Sequence, residues 1–268
     1  MDNLNDSEVS NFNLTHDAII NAGFNPDDSI VLLENAGITE IDPGTFDSWI
    51  NLKELFLSNN SITALPTNIF NKVSKLRKIH LSSNLLTTIR KELFQLNILL
   101  EVVNLASNQI EDVAFSPNLS MVKIVDLQNN RIKALPSQIF AGFKSLEALN
   151  LSNNLLTTLP ELFIAPGSAT ELRELRLENN QLQTLPAQAF ANLQKLEFLN
   201  IADNQITELS PQFFAALPNL KTLIAGRNLI KRLPNPINLP NLERAYFEGN
   251  PLEEKPQIVS TKPFQLYV

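Results

Sequence analysis

Apolar and polar residues alternate in short bursts that return at a fixed interval along the chain. The stretch Leu52-Lys-Glu-Leu55-Phe-Leu57-Ser-Asn-Asn60-Ser-Ile62 recurs as Leu76, Ile79, Leu81, Asn84 and Leu86, then as Leu100, Val103, Leu105, Asn108 and Ile110. Further copies begin at Val122, Leu146, Leu172, Leu196, Leu220 and Leu242, with Ala225 and Ala245 each replacing a leucine in the last two, and a worn first copy begins at Asp28. The ten starts lie at 28, 52, 76, 100, 122, 146, 172, 196, 220 and 242, so the interval is 22 to 26 residues. Such self-similarity is the signature of a stacked repeat architecture.

The pattern within a copy sets the local structure. Numbering from its first residue, apolar positions 4 and 6 alternate with outward positions 3, 5 and 7, which predicts a short strand with one buried face. Returns of 15 or more residues exclude hairpins, so the strands must stack in parallel, each coil covering the apolar side of the next. Ten strands about 4.8 Å apart span roughly 45 Å. The returning Phe46, Phe70, Phe94, Phe140, Phe190 and Phe214 join the leucines inside. The row Asn60, Asn84, Asn108, Asn130, Asn154, Asn180, Asn204, Asn228 and Asn250 falls where the chain leaves each strand. A buried amide there supplies donors and an acceptor to the backbone groups of adjacent turns, so we assign the row to structure rather than chemistry.

These residues, together with the returns Leu65-Pro66…Phe70, Leu135-Pro136…Phe140, Leu185-Pro186…Phe190 and Leu209…Phe214, resemble the leucine-rich repeat family in its class of about 24 residues per repeat. The resemblance covers residues 28–256 and implies an α/β solenoid. That is a curved horseshoe with a parallel concave sheet of about ten strands and mostly short helical or irregular returns. Residues 1–27 are expected to form an N-terminal cap, with Thr15 capping a short helix that Gly23 stops, and residues 257–268 a C-terminal cap or tail. Secreted relatives close their ends with disulfides. This chain has no cysteine, which also excludes thiol catalysis and cysteine-ligated metals.

Three copies depart from the pattern. The unit from Leu100 is short and lacks the Leu-Pro…Phe return, Ile164–Thr170 adds residues expected to form a return-side loop, and Leu233–Pro240 is proline-rich and expected to be extended. None falls on a strand, so the sheet is expected to run unbroken.

Composition narrows the function. Twenty-one basic against 28 acidic residues leave a net charge of −7, and the two histidines, His16 and His80, are too few for a histidine-rich metal site. No cofactor or metal is expected. The acidic start carries no secretory signal pattern, and no run approaches the roughly 18 apolar residues of a membrane span, so a cytoplasmic protein that does not engage membranes is expected, with export lacking a signal peptide left open. The Gln265-Leu-Tyr-Val268 terminus resembles a carboxylate ligand of PDZ-type domains, though a packing segment is the reading we favour.

Function should be written at outward positions 2, 3, 5, 7 and 8. Their charges, 9 basic and 11 acidic, interleave, which disfavours nucleic acid as a partner. Position 2 alternates in sign from Arg77 through Glu101, Lys123, Glu147, Arg173, Glu197 and Lys221 to Glu243, the pattern of a salt-bridge ladder. Phe198, Ile224 and Tyr246, with Arg176 and Arg227 near them, have the composition of an interface hot spot. Phe56, His80 and Asp126 are secondary candidates. A terminal segment folding over these patches is the competing reading. His80 with Ser82 and Ser83 lacks an orienting carboxylate, so no catalytic site is expected. The expected function is a non-enzymatic, monomeric protein-binding module, an intracellular scaffold or adaptor. The alternatives are a bacterial effector using the same face and, more remotely, an extracellular adhesion or receptor-type repeat protein.

Overall fold

The computed structural model describes residues 12–268. Eleven three-residue strands form one parallel sheet in strict chain order: Ile30–Leu32, Glu54–Phe56, Lys78–His80, Val102–Asn104, Ile124–Asp126, Ala148–Asn150, Glu174–Arg176, Phe198–Asn200, Thr222–Ile224, Arg244–Tyr246 and Gln265–Tyr267. Ten belong to the ten copies, and each pairs in register, so like positions face like positions from coil to coil. The sheet is unbroken, as the placement of the irregular returns predicts. Positions 4 and 6 point inward: Leu55, Leu57, Ile79, Leu81, Val103, Leu105, Val125 and Leu127 have no exposed surface.

The asparagine row is the polar spine of this interior. Asn154 is typical. Its Oδ1 accepts the Ile132 backbone N–H at 3.1 Å in the preceding coil, and its Nδ2 donates to the Leu127 carbonyl at 2.9 Å and the Leu151 carbonyl at 3.1 Å. Asn84, Asn108, Asn130, Asn180, Asn204 and Asn228 repeat the arrangement. The residue before each asparagine of the row turns the chain in the left-handed region, with φ of 52–57° at Asn59, Ser83, Ser107, Asn129, Asn153, Asn179, Asp203 and Arg227 and 77° at Gly249; Asn35 makes the same turn, at 56°, in the worn first copy. Asn, Asp and Gly, seven of these ten residues, tolerate that conformation better than other residues do.

The returns are mostly tight turns, with a 3-10 helix at Ala187–Phe190 and an α-helix at Pro211–Ala215 capped by the Ser210 hydroxyl. All six returning phenylalanines are buried, and Phe70 stacks on Phe94 at 5.7 Å. The short unit supplies its own ring, Phe115, edge-on to Phe143 at 5.3 Å. Its return also runs close to the next coil: a Cβ on Gly142 would lie 2.2 Å from the Pro117 carbonyl oxygen, so the position requires glycine. The Ile164–Thr170 insertion does lie on the return side, but it folds inward. Ile164 and Ala169 are buried, the Ser168 hydroxyl donates to the Ala141 carbonyl at 2.6 Å, and the Ala169 N–H donates to the Phe143 carbonyl.

At both ends a terminal segment pairs as a strand with the solenoid. At the N-terminal end Phe12–Leu14 pairs with the return strand Ile38–Ile41, and helix His16–Asn21, capped by Thr15 and followed by Gly23 at φ 95°, buries Ile19. The first eleven residues of the expected cap lie outside the described residues. At the other end the proline-rich return is extended, as expected, and its Ile237–Asn238 pairs with Ile258–Val259. The tail then adds Gln265–Tyr267 as the eleventh strand of the sheet, so it continues the solenoid by one coil instead of merely folding over it.

Candidate protein-binding face

The outward side chains of the sheet form rows that run across the strands. Position 2 builds two ion clusters rather than one continuous ladder. Glu101 takes Arg77 at 2.5 Å and Lys123 at 3.0 Å, and Glu197 takes Arg173 at 2.7 Å and Lys221 at 2.6 Å. Hydrogen bonds from these cations hold both carboxyls below the usual glutamate range. Glu147 and Glu243 stand outside ion-pair distance of any cation among the described residues. The rows therefore consume most position 2 charge locally and set register.

Position 5 carries the candidate chemistry. Phe56 and His80 stack at 4.5 Å with their planes 6° apart, and burial lowers the histidine pKa. Asn104, Asn150 and Asn200 each turn Oδ1 back onto the backbone N–H two residues on, at 3.1 Å. Asp126 does the same to Gln128 at 3.0 Å, and burial raises its pKa. Beyond them, the Arg176 guanidinium lies 4.7 Å over the Phe198 ring, with its Nε on Glu174 at 2.5 Å and an Nη 3.8 Å from Glu178. Burial raises the Glu178 pKa.

The structure brings Arg176, Phe198, Ile224 and Tyr246 together on consecutive strands, all half-buried. It places Arg227 apart from them, on the turn at the rim, where its Nε and Nη2 both donate to the Asp203 carboxylate. The tail does occupy part of the C-terminal patch: Tyr267 stacks on Tyr246 at 4.5 Å and 3°. Phe198 and Ile224 are left without such a cover. At the opposite edge Leu32 is 55% exposed, so residues 12–27 do not cover it. Phe56, His80 and Asp126 lie on the same face but are spread over separate strands, Phe56 and His80 adjacent, Asp126 two strands further on. The recesses of this face are shallow. Among the described residues there is no cluster of His, Asp and Glu that could hold a metal, and no helix long and apolar enough to cross a membrane.

A stack of parallel coils with one strand and one turn-rich return per coil, joined by a row of largely buried asparagines, defines a leucine-rich solenoid. The family model described as leucine rich repeat matches residues 29–86, 120–166 and 170–230, more than half of the chain. The chain belongs to the leucine-rich repeat family. The unmatched stretch 87–119 contains most of the short unit, where the return pattern fails. Among solved structures, the leucine-rich repeat domain of APL1B is 19% identical, with 92% of this chain and 75% of that one covered and a TM-score of 0.67. A TLR13 chain in complex with ssRNA13 is 21% identical over 80% of this chain, with a TM-score of 0.68, and this chain spans only 31% of its length. A chain of the octameric complex of Latrophilin 3, Unc5D and FLRT2 is 23% identical over 78% of both chains, with a TM-score of 0.54. At these identities the likeness is one of fold. No curated protein matches the sequence.

Proposed function

We propose that the protein is a non-enzymatic binding module that captures another protein on its concave sheet, and that it works as an intracellular scaffold or adaptor. The observation that carries this reading is the run Arg176, Phe198, Ile224 and Tyr246 on four consecutive strands, with the arginine held over the Phe198 ring. Rigid aromatic area beside an oriented guanidinium is the composition of interface hot spots. Interleaved charge and a net charge of −7 favour protein over nucleic acid. A flat, open face without metal ligands or a cleft offers no place to assemble catalytic groups around a small substrate. Terminal segments held by strand pairing in a cysteine-free chain need no disulfide, which supports the intracellular setting.

The test is capture by the immobilised protein against a Phe198→Ala, Tyr246→Ala double variant, with the bound protein identified by mass spectrometry. The variant is expected to keep its melting temperature within a few degrees, because both side chains are half-buried at the surface, and to lose the partner. Equal capture by the variant would dismiss the patch.

A further inference from the structure

Asp126 sits near the middle of the sheet, in a shallow dimple of about 170 Å³ lined by Ile124, Ala148, Asn150, Glu174 and Arg176. Its structural duty is met equally well by a neutral residue. Asn104, Asn150 and Asn200, in the same row, cap the backbone N–H two residues on with the same geometry that Asp126 uses toward Gln128. A half-buried carboxylate costs desolvation that an amide does not. The Gln128 backbone N–H and the Arg176 charge offset part of that cost, but no ion pair among the described residues completes the compensation. Asp126 Oδ2 has only the Gln128 side-chain amide at 3.3 Å, and no cation stands within ion-pair distance. The nearest candidate, Arg176, is two strands away and is held by Glu174, Glu178 and the Phe198 ring. The flanking strands present only Asn104 and Asn150 in this row, and apolar surface lies beside the carboxylate at Ile124, 43% exposed, and at Ala148.

We infer that Asp126 is the acceptor for a lysine or arginine side chain of the protein partner, whose methylene stem lies over Ile124 and Ala148 while its cationic head reaches the carboxylate. This rests on the concave face being the binding surface and names the chemistry the partner must present. A carboxylate on an apolar shelf matches a long amphipathic cation, whose stem gains from burial and whose charge repays the desolvation. A metal ion is disfavoured, since a single carboxylate beside amides supplies too few hard ligands.

The substitution Asp126→Asn separates the roles, because it preserves the cap and removes the charge. A random peptide library is displayed and selected on the wild-type protein with soluble Asp126→Asn protein as competitor. Selected peptides are expected to carry a basic residue, to bind Asp126→Asn about tenfold more weakly, and to lose about the same when that residue becomes norleucine. The two changes together should cost no more than either alone. Asp126→Asn should melt no lower than wild type. The inference is overturned if no peptides prefer wild type, if those that do lack a basic residue, or if the two losses simply add. Peptides indifferent to Asp126→Asn but lost on the Phe198→Ala, Tyr246→Ala variant would refute the acceptor while leaving the concave-face reading intact. Peptides indifferent to both variants would remove the wider reading as well.

Discussion

Truncating one asparagine of the spine tests the packing logic most directly. In the substitution Asn154→Ala the Ile132 N–H, fully buried, loses its acceptor and finds no other. The carbonyls suffer less, because each is shared: Leu127 keeps Asn130 at 3.0 Å and Leu151 keeps Asn180 at 3.0 Å. One orphaned donor costs about 1–3 kcal/mol and two carbonyl bonds about 1 kcal/mol each, so the expected loss is about 3–5 kcal/mol. Urea unfolding followed by circular dichroism should show the midpoint falling in proportion while the slope is unchanged. Asn154→Asp is the sharper companion. It retains an acceptor for Ile132 but turns an oxygen toward two carbonyls and buries a charge, and it should be at least as damaging. A loss below about 1 kcal/mol for the alanine variant, or tolerance of aspartate, would refute the account of the spine.

Three further outcomes follow from other parts of the solenoid. Gly142→Ala forces a methyl group against the Pro117 carbonyl, and because backbone must move, thermal unfolding should reveal a loss of about 1–3 kcal/mol; an unchanged melting temperature would mean that the coils are not in close approach there. Burial pushes the Asp126 pKa above the usual aspartate range, so the charged form weakens the fold at neutral pH, and the penalty vanishes as the group protonates on acidification. Asp126→Asn should accordingly be no less stable than wild type at neutral pH, with any advantage shrinking as the pH falls into the ordinary carboxylate range in a melting series; an advantage that grows on acidification would contradict the sign. Glu101→Gln breaks two partly exposed ion pairs and should cost about 1 kcal/mol or less, a difference that added salt diminishes; a larger, salt-insensitive loss would show that Glu101 is not a surface ion-pair partner.

How much was legible in the sequence depended on whether a side chain obeyed the period. Leu55, Val103 and Leu149 recur at one position because every coil needs the same inward residue, so their burial follows from spacing alone, and the asparagine row follows for the same reason. The Thr15 cap was readable because it is local. The eleventh strand was not, since Gln265–Tyr267 carries no repeat signature and pairs only because the tenth coil leaves an edge that accepts it. The inward fold of the Ile164–Thr170 insertion was equally hidden, because its partners at Ala141 and Phe143 lie in another coil.

The amino-acid sequence alone determined the parallel solenoid, its interior and the face left open to solvent, because a residue's position in the period dictates which way it points. Only the tertiary structure decided which outward groups are already satisfied. Arg227 is bound to Asp203, Arg176 to Glu174 and the Phe198 ring, and Tyr246 to Tyr267, whereas Asp126 has no ion-pair partner among the described residues. Those pairings join residues about one coil or less apart along the chain and depend on the rotamer each long side chain adopts, which a repeat pattern does not encode.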